Sequence, residues 1–288
     1  MDIEINTPVT KYLKKFSIFL ENCGVDPLPG SPVEKEIRSF SRTESIQTAF
    51  SIASQSLIAA NDYLKALDTL VEHKNFSIAP WSCARGMIEA AAICTWLLDK
   101  TIDSKERVSR SLSLRYASLS EQIKLARYDR DNALIQKIEK RIEDIEVIAV
   151  SLGYKLVRNK KNRRIGIGQK KPNITSLVEG QFGEEKLYRI LSGMAHSTYT
   201  ALTSLAFTRE NLERRSGAVI REAVPITTQV SLVSQATTIY VKCLWLKTIQ
   251  YGFDAEQVAV LLEELYDELE LTDQNNIRFW RTIIKTNS

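Results

Sequence analysis

The sequence predicts an all-α protein, a helical bundle with a long protruding helix or helical hairpin. Three observations carry this expectation. Glycine (11) and proline (7) are scarce in 288 residues, whereas sheet-rich folds need many turn residues. Apolar residues recur three or four apart over long stretches. No alternation of polar and apolar residues is sustained, so no strand is expected. The balance of 44% hydrophobic and 26% charged residues is that of a globular chain and excludes disorder and collagen-like repeats.

The elements follow in order. Residues 1–42 read as a short helix, Thr10–Asn22, and a loop from Gly24 to Pro32, where proline and glycine forbid a helix. From Thr43 to Lys74 the apolar positions Ile46, Phe50, Ala53, Leu57, Ala60 and Leu64 mark a helix. A second runs from Pro80 to Asp99, with the proline in its first turn. Asp103 or Ser104 caps a very long helical pattern to Ser151, which can fold back near Tyr128–Asn132. Its charges alternate in sign from Lys137 to Glu146, as on a solvated face.

The segment from Tyr154 to Pro172 reads as a flexible basic loop. Helical spacing resumes from Glu184 to Phe207, and a polar loop with Arg209, Arg214, Arg215 and Arg221 follows. Helices from Pro225 to Gln250 and from Asp254 to Leu271 close the pattern, the latter opened by a reciprocal Asp254–Gln257 cap. Residues 43–271 are expected to form one domain, with 272–288 as a tail.

Net charge is only +4, so nucleic-acid affinity would have to come from a local patch. The cysteines Cys23, Cys83, Cys94 and Cys243 are far apart, which is neither a disulfide framework nor a zinc site. Two histidines, His73 and His196, exclude a multi-histidine metal centre, and no cofactor is expected. The first 15 residues lack the apolar core of a signal peptide, and the most apolar run, Ile88–Leu98, is too short to span a bilayer. A cytoplasmic protein with reduced thiols and no membrane contact is expected.

The segment 184–207 is the most informative. As one helix it would place Tyr188, Arg189, Ser192, His196, Tyr199 and Thr203 on one side and the apolar residues on the other. Such side chains make directed hydrogen bonds better than they solubilise a surface, so this face should meet a cleft, a ligand or another subunit. Arg189 and His196, about two turns apart, would point the same way. A histidine can move a proton near neutrality, and an arginine offers a fork of donors to phosphate. Together they are the minimum for splitting RNA without a metal, one moving the 2′-hydroxyl proton and the other steadying the charge on phosphorus.

Arg189-Ile-Leu-Ser-Gly-Met-Ala-His196 resembles the signature of the HEPN superfamily of helical ribonucleases. The resemblance covers this motif and the helical setting. It implies a metal-independent endoribonuclease, a bacterial toxin or phage-defence effector, whose site two protomers usually share. Arg189 would steady the phosphate, His196 would be the general acid/base, and Tyr188 and Ser192 would be supporting donors. Ile190 departs from the pattern, which commonly has a polar residue there. The alternative is a non-catalytic sensor or scaffold binding a ligand or a protein partner through the same polar face, with His196 as a core histidine and Arg189 in a structural ion pair.

On Trp81–Asp99 one stripe, Arg85, Glu89, Trp96 and Asp99, breaks an otherwise apolar surface. Arg85 and Glu89 can pair at i, i+4, either as a surface bridge or as a buried support for Tyr188 and His196, to which Arg107, Arg110 and Arg115 could add. Tyr199 completes the supporting set. These residues together resemble a set of largely uncharacterised bacterial helical proteins over residues 45–205.

The run 155–171 carries eight cations and no acid. Lys160, Lys161, Arg163 and Arg164 are candidate RNA contacts, with the acidic helix 254–270 as the competing partner. A homodimer is expected, because cleavage needs a base and an acid, and a two-fold axis brings a second His196 to the same cleft.

Overall fold

The computed structural model describes residues 8–24, 26–72, 76–211, 218–222 and 226–268. Apolar stripes at helical spacing give eleven helices among them: α1 (Pro8–Asn22), α2 (Pro32–Ser39), α3 (Thr43–Glu72), α4 (Ala79–Leu97), α5 (Ser104–Tyr128), α6 (Asn132–Ser151), α7 (Ile174–Phe182), α8 (Glu185–Ala195), α9 (Tyr199–Ala201), α10 (Ile226–Tyr251) and α11 (Ala255–Glu268). The fold is an all-α helical bundle. None of the described helices is long and apolar enough to cross a membrane. His73, Arg214, Arg215 and the tail 272–288 lie outside the described residues.

The chain divides into two compact units. The first takes in residues 1–34, 54–96 and 174–288. Its α1 is not an appendage: Tyr12, Leu13 and Phe16 are buried, and the helix packs on α10 and α11. α4 is sunk in the same unit, with Trp81, Met87, Ile88, Ala92 and Trp96 buried on different sides. Gly86 lets α3 approach it, because a Cβ there would strike the Tyr63 ring. Cys94 and Cys243 are buried core thiols, while Cys83 is half-buried.

The second unit takes in residues 35–53 and 97–173. Asp103 caps α5 by accepting the Glu106 N–H at 2.7 Å. The chain folds back at Asp129–Asp131, and Asp131 caps α6 through the Leu134 N–H at 2.9 Å. Ile138, Ile142, Ile145 and Ala149 then form a buried stripe along α6, which packs with α5 as a helical hairpin.

Four expectations need correction. The loop from Gly24 ends where it is expected, but the stretch after it, expected to carry no helix before Thr43, forms α2, which Pro32 opens at a position where proline is tolerated. Two antiparallel hairpins exist, β1 (Leu156–Arg158) with β2 (Arg164–Ile167) and β3 (Phe207–Asn211) with β4 (Ala218–Glu222), so the polar stretch after Phe207 is not a plain loop. Strands of three to five residues are too short to show a period of two. Nor do the glycines of the basic segment serve flexibility: Gly166 has no room for a Cβ beside Gln169, and Gly168 adopts φ +70 against Ser109. Finally, Asp254 accepts the Glu256 N–H at 3.0 Å, and the expected reciprocal bond with Gln257 is not what opens α11.

Arg107 is fully buried and ties this second unit together. It donates to both carboxylate oxygens of Glu36 at 3.1 and 3.0 Å, to the carbonyls of Leu97 and Asp99, and lies over the Phe50 ring. A buried cation stripped of its partner is severely destabilising. Glu36→Leu should therefore cost about 3–5 kcal/mol of stability, read as the shift in a urea-unfolding curve.

Candidate functional site

α8 does not continue to Phe207. It stops at Ala195, and His196 is its C-cap. Ser197 takes the left-handed conformation at φ +51. The Ser197 N–H bonds to Met194 O at 3.0 Å and the Thr198 N–H to Gly193 O at 2.9 Å. That is the paired end-bonding of a Schellman motif, with serine where glycine is usual. The chain resumes as α9, a short π-helical turn (Leu202–Ala206) and then β3.

The break separates the residues expected on one face. Tyr188 is buried, while Tyr199 stands 83% exposed beyond the turn, and Thr203 bonds back to the Tyr199 carbonyl. Ser192 accepts the His196 N–H through its carbonyl. Arg189 points elsewhere. It pairs with Glu185 one turn back, at 2.7 Å from Nε, and lines an open groove of about 710 Å³ with Ile190, Gly193 and Thr198. Arg189 is thus engaged by Glu185 and not by His196.

His196 meets Arg85 instead. Arg85 Nη1 lies 2.9 Å from His196 Nε2. A guanidinium has no lone pair, so in this contact Arg85 donates and Nε2 accepts. Arg85 Nε donates to Glu89 Oε1 at 2.8 Å, and the same oxygen accepts the Tyr188 hydroxyl at 2.7 Å. The Arg85 guanidinium also lies over the Tyr188 ring, 5.8 Å from its centre. The chain of contacts therefore runs Tyr188–Glu89–Arg85–His196. Its inner end is buried and its outer end, the imidazole, is exposed.

Burial and the Glu89 carboxylate hold the Tyr188 hydroxyl above its ordinary pKa, so it remains a donor. Burial works against the charge on Arg85, but the bonds to Glu89 and Tyr188 outweigh it and the guanidinium pKa is raised. The Arg85–Glu89 pair supports Tyr188 and His196 as one of the two readings had it, although at 22% and 33% side-chain exposure it is half-buried.

The arginines of α5 belong to the second unit. Arg107 is committed to Glu36, and Arg110 to Asp99 and Glu106. Burial, and then repulsion from Arg141, lowers the pKa of Arg115. In the basic segment Lys160, Lys161 and Arg163 are exposed at the tip of the β1–β2 hairpin, where Asn159 Oδ1 accepts the N–H groups of Lys161 and Arg163. Arg164 is different: it forms an ion pair with Glu146 and its carbonyl accepts the Tyr116 hydroxyl at 3.0 Å. It is a structural residue of the hairpin. Among the described residues, no group of three or more His, Cys, Asp or Glu side chains is placed to hold a metal ion.

The architecture and the cluster define an all-α protein with an arginine-held surface histidine. Residues 50–213 match a family of unknown function (DUF5677), and the chain belongs to that family. No curated protein and no solved structure matches it. The matched span contains Arg85, Glu89, Tyr188 and His196.

The hydrogen bond from Tyr188 to a carboxylate should contribute about 1.5–3 kcal/mol. Tyr188→Phe should lower stability by that amount in chemical denaturation, and in a Glu89→Gln background the same change should cost about 1 kcal/mol, the value for a neutral pair.

Proposed function

We propose that the protein is a metal-independent endoribonuclease of HEPN type, working in the cytoplasm as a toxin or phage-defence effector. The observation that carries this reading is the 2.9 Å contact between Arg85 and an exposed His196. His196 takes the proton of the 2′-hydroxyl through Nε2. The 2′-oxygen then bonds to phosphorus, the bond to the 5′-oxygen breaks, and the products are a 2′,3′-cyclic phosphate and a 5′-hydroxyl. Arg85 holds Nε2 in the resting protein. An incoming phosphate competes for the guanidinium, which releases the lone pair and keeps a cation on the developing charge. Tyr188 and Glu89 position Arg85. Arg189 serves as a second phosphate contact at the edge of its groove.

One histidine supplies one proton-transfer group, and the departing 5′-oxygen needs a proton as well. A homodimer that turns two His196 side chains into one cleft provides it. Lys160, Lys161 and Arg163 then contribute phosphate contacts from their hairpin.

His196→Ala should slow cleavage of a labelled RNA by about 10²-fold or more, with EDTA present throughout. Arg85→Ala should do nearly as much, and Arg189→Ala less. The reading fails if wild type and His196→Ala leave RNA equally intact in both monomer and dimer fractions. Replacing Lys160, Lys161 and Arg163 by Ser should reduce the slope of log affinity against log salt by about two to three, roughly 0.7–0.9 for each phosphate that is no longer neutralised. An unchanged slope would remove the hairpin from the RNA path.

A further inference from the structure

α10 carries a lysine where its neighbours are apolar, in Val241-Lys-Cys-Leu-Trp-Leu-Lys247. Lys247 is 3% exposed. Its ammonium donates to Ser54 Oγ at 2.9 Å and lies 3.0 Å from the centre of the Tyr251 ring. Ser54 is in turn bonded to the Tyr251 hydroxyl at 3.0 Å. Among the described residues no carboxylate pairs with Lys247. An ammonium has three N–H groups, and these contacts use two of them. Burial lowers its pKa from 10.5 to about 8, with nearby sulfurs and Asp26 pulling weakly the other way. A charge in this setting is costly to bury unless something neutralises it.

The side chain lines a cavity of about 420 Å³ within the first unit, between α1, α3 and α10. That is the size of a small-molecule site. Leu20, Leu57 and Ile58 supply apolar wall. Asn61 also lines it. Its carbonyl oxygen accepts the Ser17 hydroxyl at 2.9 Å, so its NH₂ is the group left to donate. Glu21 and Lys65, both exposed, offset each other at the rim at 3.6 Å, and Asp62 is exposed and screened by solvent. The buried end is therefore cationic, the walls are apolar and the rim is polar.

We propose that this cavity binds a small amphipathic carboxylate, with its head group on Lys247 and its apolar body along Leu20, Leu57 and Ile58. The site shares no residue with the His196 cluster, so its test stands apart from the ribonuclease reading. The head group would complete the third N–H of Lys247 with a charge-assisted bond.

Octanoate is a suitable probe, titrated calorimetrically into the full-length protein, with 1-octanol and octylamine as controls of the same chain. Saturable binding of octanoate is expected, with both controls at least tenfold weaker. Lys247→Met keeps the stem and removes the charge, and should weaken octanoate at least tenfold. Should that variant not fold, Ile58→Trp carries the test, because Ile58 is 59% exposed and a larger ring there obstructs the cavity without entering the core. It too should weaken binding at least tenfold. No binding of octanoate, equal binding of 1-octanol, preference for octylamine, or undiminished binding by Lys247→Met or Ile58→Trp would each overturn the proposal.

Discussion

A helix buried on nearly every side can carry charge only where the charges neutralise one another. α4 is such a helix, and within it Arg85 and Glu89 are the charged residues. A single oxygen, Glu89 Oε1, accepts from both Arg85 and Tyr188. It fixes the arginine and docks α8 on α4 at the same time. Tyr188 is eight residues before His196, so this anchor also decides where the end of α8 falls. Arg85 is held by Nε on its inner side and reaches His196 with Nη1 on its outer side. The position of the imidazole is thus inherited from the need to neutralise a carboxylate.

Much of the scaffold was legible in the residues. Asp103 and Asp131 are caps because a short carboxylate can accept an orphan N–H, and both open helices where the local pattern places them. The hairpin at 129–131 lies inside the window that the polar stretch Tyr128–Asn132 marked. Arg85 with Glu89 was legible as an i, i+4 pair, whereas its contacts with Tyr188 and His196 join positions 99 and 111 residues apart. Local spacing holds no information on such distances. It offered Arg189 as the partner of His196 because both lie on one apparent periodicity. The periodicity was real up to Ala195, and what followed was a helix end without the glycine that normally announces one.

Lys247 and Arg107 illustrate a second limit. Lys247 lies among apolar neighbours in α10 and Arg107 among polar ones in the first turn of α5, and each could have been read as reaching the surface. Their surroundings separate them. Arg107 meets a carboxylate, two carbonyls and an aromatic face, a set that uses the planar fork of a guanidinium. Lys247 meets one hydroxyl and one ring, beside open volume. The first is a closed structural contact. The second retains donor capacity in a cavity, and that difference makes one a stabilising element and the other a binding group.

The end of α8 joins structure to chemistry. A non-glycine residue in the left-handed region costs on the order of 1–3 kcal/mol and persists only when its surroundings impose it. Ser197 is held there by its own N–H bond to Met194 and by the bond of the next residue, Thr198, to Gly193. Immediately before it, His196 still makes the helical bond to the Ser192 carbonyl and is the last position that α8 orients. There the imidazole meets an arginine that Glu89 of α4 holds in place. A left-handed serine thus lies directly beside an exposed histidine that a carboxylate-anchored arginine holds.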